Sequence, residues 1–250
     1  MADFPLRALI ASDDDFLPTK ALVIVAHPDD IDFGTAGTVA TLTDHGVEVV
    51  YGLVTSGQAG EPDNISVEAL AALRESEQTA AGAIVGVTEL HWLGFPDGAV
   101  VADLGLRKAI SRLIRIVKPD LVITQNPERN WDRIYAAHPD HLAVGEAVVS
   151  AVYPDSRNAK SFPELLDEGH QPHAVPRIWL MAGAPANNNL HVDVSAQVER
   201  KIEALMAHDS QNGPRADTLP DMIREWAKAS GEASGTGFGA AESFRVVITE

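Results

Sequence analysis

The chain has 250 residues, 45% hydrophobic and 22% charged, with 19 basic and 36 acidic side chains and a formal net charge of −17. Such an acidic surface repels phosphate backbones and anionic bilayers, which argues against nucleic acid and anionic membranes as partners. No run of about 18 apolar residues offers a membrane span, and the absence of cysteine rules out disulfides and thiolate metal sites, leaving His, Asp and Glu as the strong ligands.

Residues 1–19 carry Pro5, Pro18 and the run Asp13-Asp14-Asp15, and read as an irregular leader packed over the domain. No basic segment there leads into an apolar core, so it does not read as a signal peptide, and the expected compartment is cytoplasmic. An apolar strand over 21–26 precedes a helix expected from about Gly34 to His45, with Gly46 as its stop. Val47 to Val54 is β-branched and short, a buried strand. A Gly/Pro/Asn loop from Thr55 to Asn64 leads to a long Ala-rich helix opening at Ser66 and running to about Val85.

Leu90 to Leu93 reads as a third strand, followed by the turn Gly94-Phe95-Pro96-Asp97-Gly98 and a helix over Leu104–Val117 that Pro119 breaks. Leu121 to Thr124 is a fourth strand, Gln125 to Ala137 a polar loop, and a helix starts near His138. Residues 153–175 are loop-rich, with a short helix at Pro163–Asp167. Arg177–Met181 reads as a fifth strand, 191–194 as an extended piece, 195–208 as a helix, 231–240 as a Gly-rich mobile loop and Phe244–Ile248 as a closing strand. Strands alternating with helices predict a Rossmann-like α/β fold: one domain over 1–250 with a doubly wound, mainly parallel sheet in three α/β/α layers.

In such a sheet ligands bind beyond the carboxyl ends of the strands, where strand order reverses. His27-Pro28-Asp29-Asp30 follows the first strand and His138-Pro139-Asp140-His141 the fourth. Those strands are neighbours in the order 3-2-1-4-5, so the fold itself brings the two segments together. His27 and Asp30, three residues apart, and His141 then form a facial set for a zinc-type ion with a position left for water. Asp29 points differently and suits a general base. His138, one turn from His141, suits stabilisation of a tetrahedral oxyanion, as imidazolium or as hydrogen-bond donor. The pattern points to metal-dependent hydrolysis with Zn2+; Fe2+ and other divalent ions accept the same ligands.

These two segments, with Gly34 and Gly37 after the first, resemble the two motifs of the PIG-L/LmbE-like de-N-acetylases. Val54-Thr55-Ser56-Gly57, Arg74 with Glu77, Leu93 to Gly98, Phe162 to Leu166 and the final Phe244-Arg245 strand extend the likeness over roughly residues 20–249. The resemblance implies a zinc enzyme that removes an acetyl group from an N-acetylated amino sugar such as an N-acetylglucosamine glycoside, or an amidase acting on a thiol-sugar conjugate. It implies His27, Asp30 and His141 as ligands, Asp29 as base and His138 as electrostatic partner or acid, and is compatible with a homo-oligomer. Arg74 and Asp97 match sugar-contacting positions, or are a surface Arg and a turn Asp. Trp131 and Arg133, on the loop before His138, either wall a sugar ring or pack that loop. Many members carry Glu directly after the two aspartates; here Ile31 stands there, followed by Asp32.

Three other classes fit less well. A dinucleotide fold needs a G-x-G-x-x-G turn, whereas Asp29 and Asp30 would face the phosphates. A Mg2+ phosphotransferase built on Asp30-Ile31-Asp32 leaves the His138 segment unused, and imidazole ligands favour zinc-like ions. A non-catalytic sugar- or metal-binding protein has no use for Asp29. His45, His91, His170, His173, His191 and His208 are scattered and read as solvent-facing or core residues, with His208 ending a helix that can approach the site.

Overall fold

The computed structural model describes residues 5–131, 133–181 and 183–250, so that residues 1–4 of the leader and Asp132 of the polar loop lie outside the described residues. Strand β1 (Ile10–Ser12) follows a 3-10 turn and pairs antiparallel with β7, Ile10 opposite Val192. The leader is therefore not wholly irregular. A three-residue strand with one buried side chain, Ile10, is too short to show a period in sequence.

β2 (Lys20–Val25) runs into α1 (Asp30–Gly34) and α2 (Ala36–Asp44). Helix thus begins four residues before the expected start at Gly34, because the chain reverses at Asp29 and α1 follows at once. β3 (Glu48–Leu53) leads to α3 (Val67–Ile84), whose N-cap Ser66 accepts from Ala69 N. β4 (Glu89–Trp92) leads to α4 (Leu104–Val117), capped by Asp103 accepting from Leu106 N. β5 (Leu121–Gln125) leads to α5 (Pro139–Ser150), where Pro139 occupies the first turn and needs no amide partner. The short α6 (Glu164–Asp167) precedes β6 (Arg177–Met181) and β7 (Leu190–Asp193). Then come α7 (Val198–Met206), α8 (Asp209–Asn212), α9 (Leu219–Ser234) and β8 (Ala241–Ile248).

Helix α9 has no counterpart in the sequence reading, and it takes in the first residues of the segment expected as a loop over 231–240. Its buried residues Leu219, Ile223, Ala227 and Gly231 recur every four positions. Gly231 sits in that stripe because a Cβ there would lie 2.7 Å from the Phe238 carbonyl oxygen. A glycine that packs a helix against the returning chain carries the same letter as one that frees a loop.

The sheet order is β1-β7-β8-β6-β5-β2-β3-β4. Its central run, β4-β3-β2-β5-β6, is parallel throughout and has the predicted 3-2-1-4-5 order. β8 joins antiparallel to β6 and to β7. Both faces are covered, so the central strands read as unbroken apolar runs. Val23 and Val25 pack with residues of α2, α3, α7 and α9, while Leu22 and Ile24 pack with residues of α4 and α5. Strand order reverses between β2 and β5, and their carboxyl ends open at one place. No helix among the described residues is long and apolar enough to cross a membrane.

Candidate metal and catalytic site

The polypeptide leaves β2 at Ala26, whose amide donates to Gln125 Oε1 at the end of β5 (3.0 Å). Gln125 Nε2 in turn donates to Asp30 Oδ2 at 2.9 Å. One amide side chain thus ties the two strand ends at the reversal point and aims the first carboxylate. The same Asp30 oxygen accepts from His27 N at 2.7 Å, closing a tight turn over His27–Asp30.

Three donor groups meet there. His27 Nδ1 lies 3.2 Å from His141 Nε2 and 3.4 Å from Asp30 Oδ2, and His141 Nε2 lies 3.0 Å from Asp30 Oδ1. Ligand atoms about 2.1 Å from a common ion, at angles between 90° and the tetrahedral value, sit about 3.0–3.4 Å apart. Two nitrogens and a carboxylate at that spacing fit one divalent ion. Electrostatics agree. Burial alone would lower His27, but the Asp30 and Asp97 carboxylates hold its pKa up at about 11. Burial would raise Asp30, yet the two imidazoles hold it well below the usual carboxylate range. A field that retains a proton this firmly also favours a cation of higher charge.

The outer face of each imidazole is fixed as well. His27 Nε2 lies 3.0 Å from Asp97 Oδ1 and 3.2 Å from Asp140 Oδ2. Asp140 is buried and also accepts from Gly98 N (2.8 Å) and Val100 N (3.2 Å), while Asp97 accepts from Ala59 N at 2.8 Å. Two carboxylates on Nε2–H leave Nδ1 as the nitrogen with a free lone pair. His141 Nδ1 faces the Ala136 carbonyl at 3.4 Å, which sets its tautomer the same way, with Nε2 inward. His27, Asp97 and Asp140 also form a compact cluster of their own, but on the opposite nitrogen.

His138 stands at the mouth, exposed, its ring 5.1 Å from that of His27 and 5.4 Å from that of His141. It is the N-cap of α5, and its Nδ1 accepts the Asp140 amide at 3.2 Å. Burial and the two neighbouring imidazoles lower its pKa, favouring the neutral ring. With Nδ1 accepting, the proton of that neutral ring is on Nε2. In that tautomer it can donate a hydrogen bond through Nε2; its ligand atom also lies within 4.8 Å of those of His27 and His141, so these three form a further group able to hold a metal ion.

Asp29 lies between the two inner residues of its motif with φ 80° and ψ −22°, a left-handed conformation that costs a non-glycine residue roughly 1–3 kcal/mol. Arg74 opposes that strain. Nearly buried, at 5% exposure, it donates to Pro28 O (2.8 Å), Gly57 O (2.8 Å) and Asp29 Oδ2 (3.3 Å). Gly57, at φ 65°, has no room for a side chain, since a Cβ would lie 2.3 Å from the guanidinium. Among the described residues no hydrogen bond holds Asp29 Oδ1. Burial raises the pKa of Asp29 to about 6, with Arg74 pulling against it.

The structure thus brings together His27, Asp29, Asp30, His138 and His141. Arg74 and Asp97 are here too, engaged with Asp29 and His27 respectively. Arg133 lies further out, on the surface, its guanidinium 5.8 Å over the Trp226 ring of α9, and Trp131 is exposed with Arg129 over its face. Three groups carry no role in the sequence reading. Gln125 could have been suspected as the first polar residue after an apolar strand, at the end where ligands bind. Asp140 is the third residue of the His138–His141 segment, between two residues with assigned roles. Gln78, which accepts the Asp29 amide at 2.8 Å, sits on a long helix with no local sign of its partner.

Residues 22–152 match the model of the PIG-L family, described as GlcNAc-PI de-N-acetylase. The chain is 35% identical over 198 residues to the diacetylchitobiose deacetylase of Thermococcus kodakarensis, covering 77% of this chain and 70% of that protein. It is 31% identical over 206 residues to a probable N-acetyl-alpha-D-glucosaminyl L-malate deacetylase 2 of Bacillus anthracis, covering 79% and 84%. The structure of the N,N'-diacetylchitobiose deacetylase of Pyrococcus horikoshii superposes with a TM-score of 0.84 at 29% identity, covering 92% of this chain and 84% of that one. The chain belongs to the PIG-L family of de-N-acetylases.

Proposed function

We propose that the chain is a zinc-dependent hydrolase that removes the acetyl group from the 2-acetamido nitrogen of an N-acetylglucosamine-containing glycoside. The observation that carries this reading is the meeting of His27 Nδ1, Asp30 and His141 Nε2 within 3.0–3.4 Å, with Asp29 on the turn between two of them. The relatives act, by their names, on diacetylchitobiose and on N-acetylglucosaminyl malate. The acetamido sugar is the part those compounds share.

His27, Asp30 and His141 would hold the ion, which would supply Lewis acidity and make the attacking water far more acidic than in bulk solvent. Asp29 Oδ1 takes the proton of the attacking water, and Arg74 keeps the carboxylate turned toward it through Oδ2. As the water oxygen bonds to the acetyl carbon, negative charge collects on the former carbonyl oxygen, and His138 Nε2–H donates to it. The C–N bond then breaks, and Asp29 returns its proton to the leaving nitrogen, giving a free amine and acetic acid, which ionises to acetate on release. The proton ledger closes on Asp29, so His138 stays neutral throughout.

Zinc-loaded protein incubated with N,N'-diacetylchitobiose is expected to release acetate and free amine in equal amounts. Asp29→Asn is expected to keep its zinc and lose turnover. No acetate from any N-acetyl amino sugar, with the metal bound, would reject the reading in favour of a binding protein or an amidase of different substrate.

A further inference from the structure

Beneath the site lies a buried run of polar groups that the chemistry above does not use. His208, which follows α7, and Asp32, in α1, are both fully buried. His208 Nε2 lies 2.8 Å from Asp32 Oδ2, and that same oxygen accepts from Gln78 Nε2 at 2.9 Å. Gln78, also fully buried, uses its other end, Oε1, to accept the backbone N–H of Asp29 at 2.8 Å. Four side chains or backbone groups from α1, α3 and the α7–α8 junction thus form one line ending on the turn that presents Asp29.

The chemistry of each link allows only one orientation. At its outer end Gln78 meets an N–H, so it must offer oxygen. At its inner end it meets a carboxylate, so it must offer NH2. Asp32 therefore decides which way Gln78 faces, and His208 holds Asp32. The neighbouring residue of α3, Glu77, pins the chain just after His208 by accepting from Ser210 N and Ser210 Oγ, both at 2.7 Å. His208 Nδ1 and Asp32 Oδ1 are buried without a hydrogen-bond partner among the described residues. Space could be filled at less cost by apolar side chains, since unpaired buried polar atoms are penalised.

We propose that Asp32 and His208 are positioning residues for Asp29: by fixing the polarity of Gln78 they secure the left-handed turn that points the Asp29 carboxylate into the site. The inference rests on the reading of Asp29 as the base, and adds to it the machinery that holds the base in place.

Asp32→Leu tests it. The one oxygen that accepts from both His208 Nε2 and Gln78 Nε2 is then gone, and nothing holds the Gln78 NH2 inward. If Gln78 turns over, its NH2 confronts the Asp29 amide. Turnover is expected to fall about 10–100-fold, with KM and zinc per protein unchanged. Asp32→Asn, which can keep an oxygen at the shared position, is expected to stay near the parent. Gln78→Glu alone sets a carboxylate against Asp32 and is expected to fall as Asp32→Leu does. The double variant Asp32→Asn/Gln78→Glu turns the new amide's NH2 to the new carboxylate, with His208 Nε2 accepting in its other tautomer, and is expected to recover most of the kcat lost by Gln78→Glu. Hydrogen exchange at the Asp29 amide, measured without metal, gives a readout independent of turnover: slow in the parent, fast in Asp32→Leu and in Gln78→Glu, slow again in the double. Should Asp32→Leu not fold, Gln78→Met removes both of the glutamine's bonds at similar volume and is expected to speed exchange and lower kcat. Parent-like kcat and exchange in Asp32→Leu and Gln78→Glu, or a double variant no better than Gln78→Glu, would overturn the proposal. Full turnover by Asp29→Asn would instead remove the base reading, and the exchange data would still decide whether the line holds the turn.

Discussion

Asp140→Asn should both loosen the fold and weaken the metal site, by amounts that follow from its hydrogen bonds. The carboxylate serves three donors: Oδ1 accepts from Val100 N, and Oδ2 accepts from Gly98 N and faces His27 Nε2. An amide keeps one oxygen. The less costly orientation gives that oxygen to Gly98 and His27 and sets the new NH2 against Val100 N, whose bond at 3.2 Å is the longer of the two from backbone amides. One buried donor then faces another, which costs about 1–3 kcal/mol. For a chain of this length that corresponds to a fall in Tm of about 2–12 °C. A neutral oxygen also polarises the His27 N–H less than a carboxylate does. With Asp97 Oδ1 still 3.0 Å away, zinc affinity should drop about tenfold, the lower end of the range for such outer partners. Thermal unfolding of the metal-free protein and competition against a chelator measure the two effects separately. Parent values in both would refute the roles given to Asp140. A lower Tm with unchanged affinity would leave His27 oriented by Asp97 alone.

His138→Ala should reduce kcat about 10²–10³-fold with KM nearly unchanged, as expected for a donor that acts in the transition state; an equal rise in KM would make it a substrate contact. Arg74→Lys keeps the charge but cannot reach Pro28 O, Gly57 O and Asp29 Oδ2 together, so turnover should fall while zinc stays bound; a parent-like rate would remove Arg74 from the support of Asp29. Stability should also depend on pH through His208. Burial would lower its pKa, but Asp32 raises it above the ordinary value, so its contribution is full below pH about 6.5 and fades as pH rises through the folded value. The gap in urea midpoint between the parent and His208→Gln should therefore narrow from pH 6 to pH 9, and a widening gap would contradict the assignment.

The parallel core of the sheet was legible because strands buried on both faces leave unbroken apolar runs, and the runs at β2 and β5 each lead straight into a histidine-carboxylate segment. That adjacency placed His27, Asp30 and His141 together in advance. The antiparallel edge was less legible. β1 is three residues long, and α9 carries Gly231 within its buried stripe, where composition suggests a loop. Within the site, what escaped was support. Gln125 and Asp140 reach partners 99 and 113 residues away, and neither separation leaves a periodic trace. Arg74 is an instructive middle case. The resemblance gives it a sugar-contacting position, whereas here it is buried and its bonds go mainly to the backbone carbonyls of Pro28 and Gly57, and a one-letter sequence says nothing about which carbonyls are exposed. The fold-setting residues announce themselves by pattern; the residues that aim them do so only through contacts.

Location of the ion by anomalous diffraction from crystals of the zinc-loaded protein bears most directly on this account. It predicts a single peak about 2.0–2.2 Å from His27 Nδ1, His141 Nε2 and an Asp30 oxygen, with His138 Nε2 outside that sphere. A peak on the other side of the same imidazole, between His27 Nε2, Asp97 and Asp140, would contradict it.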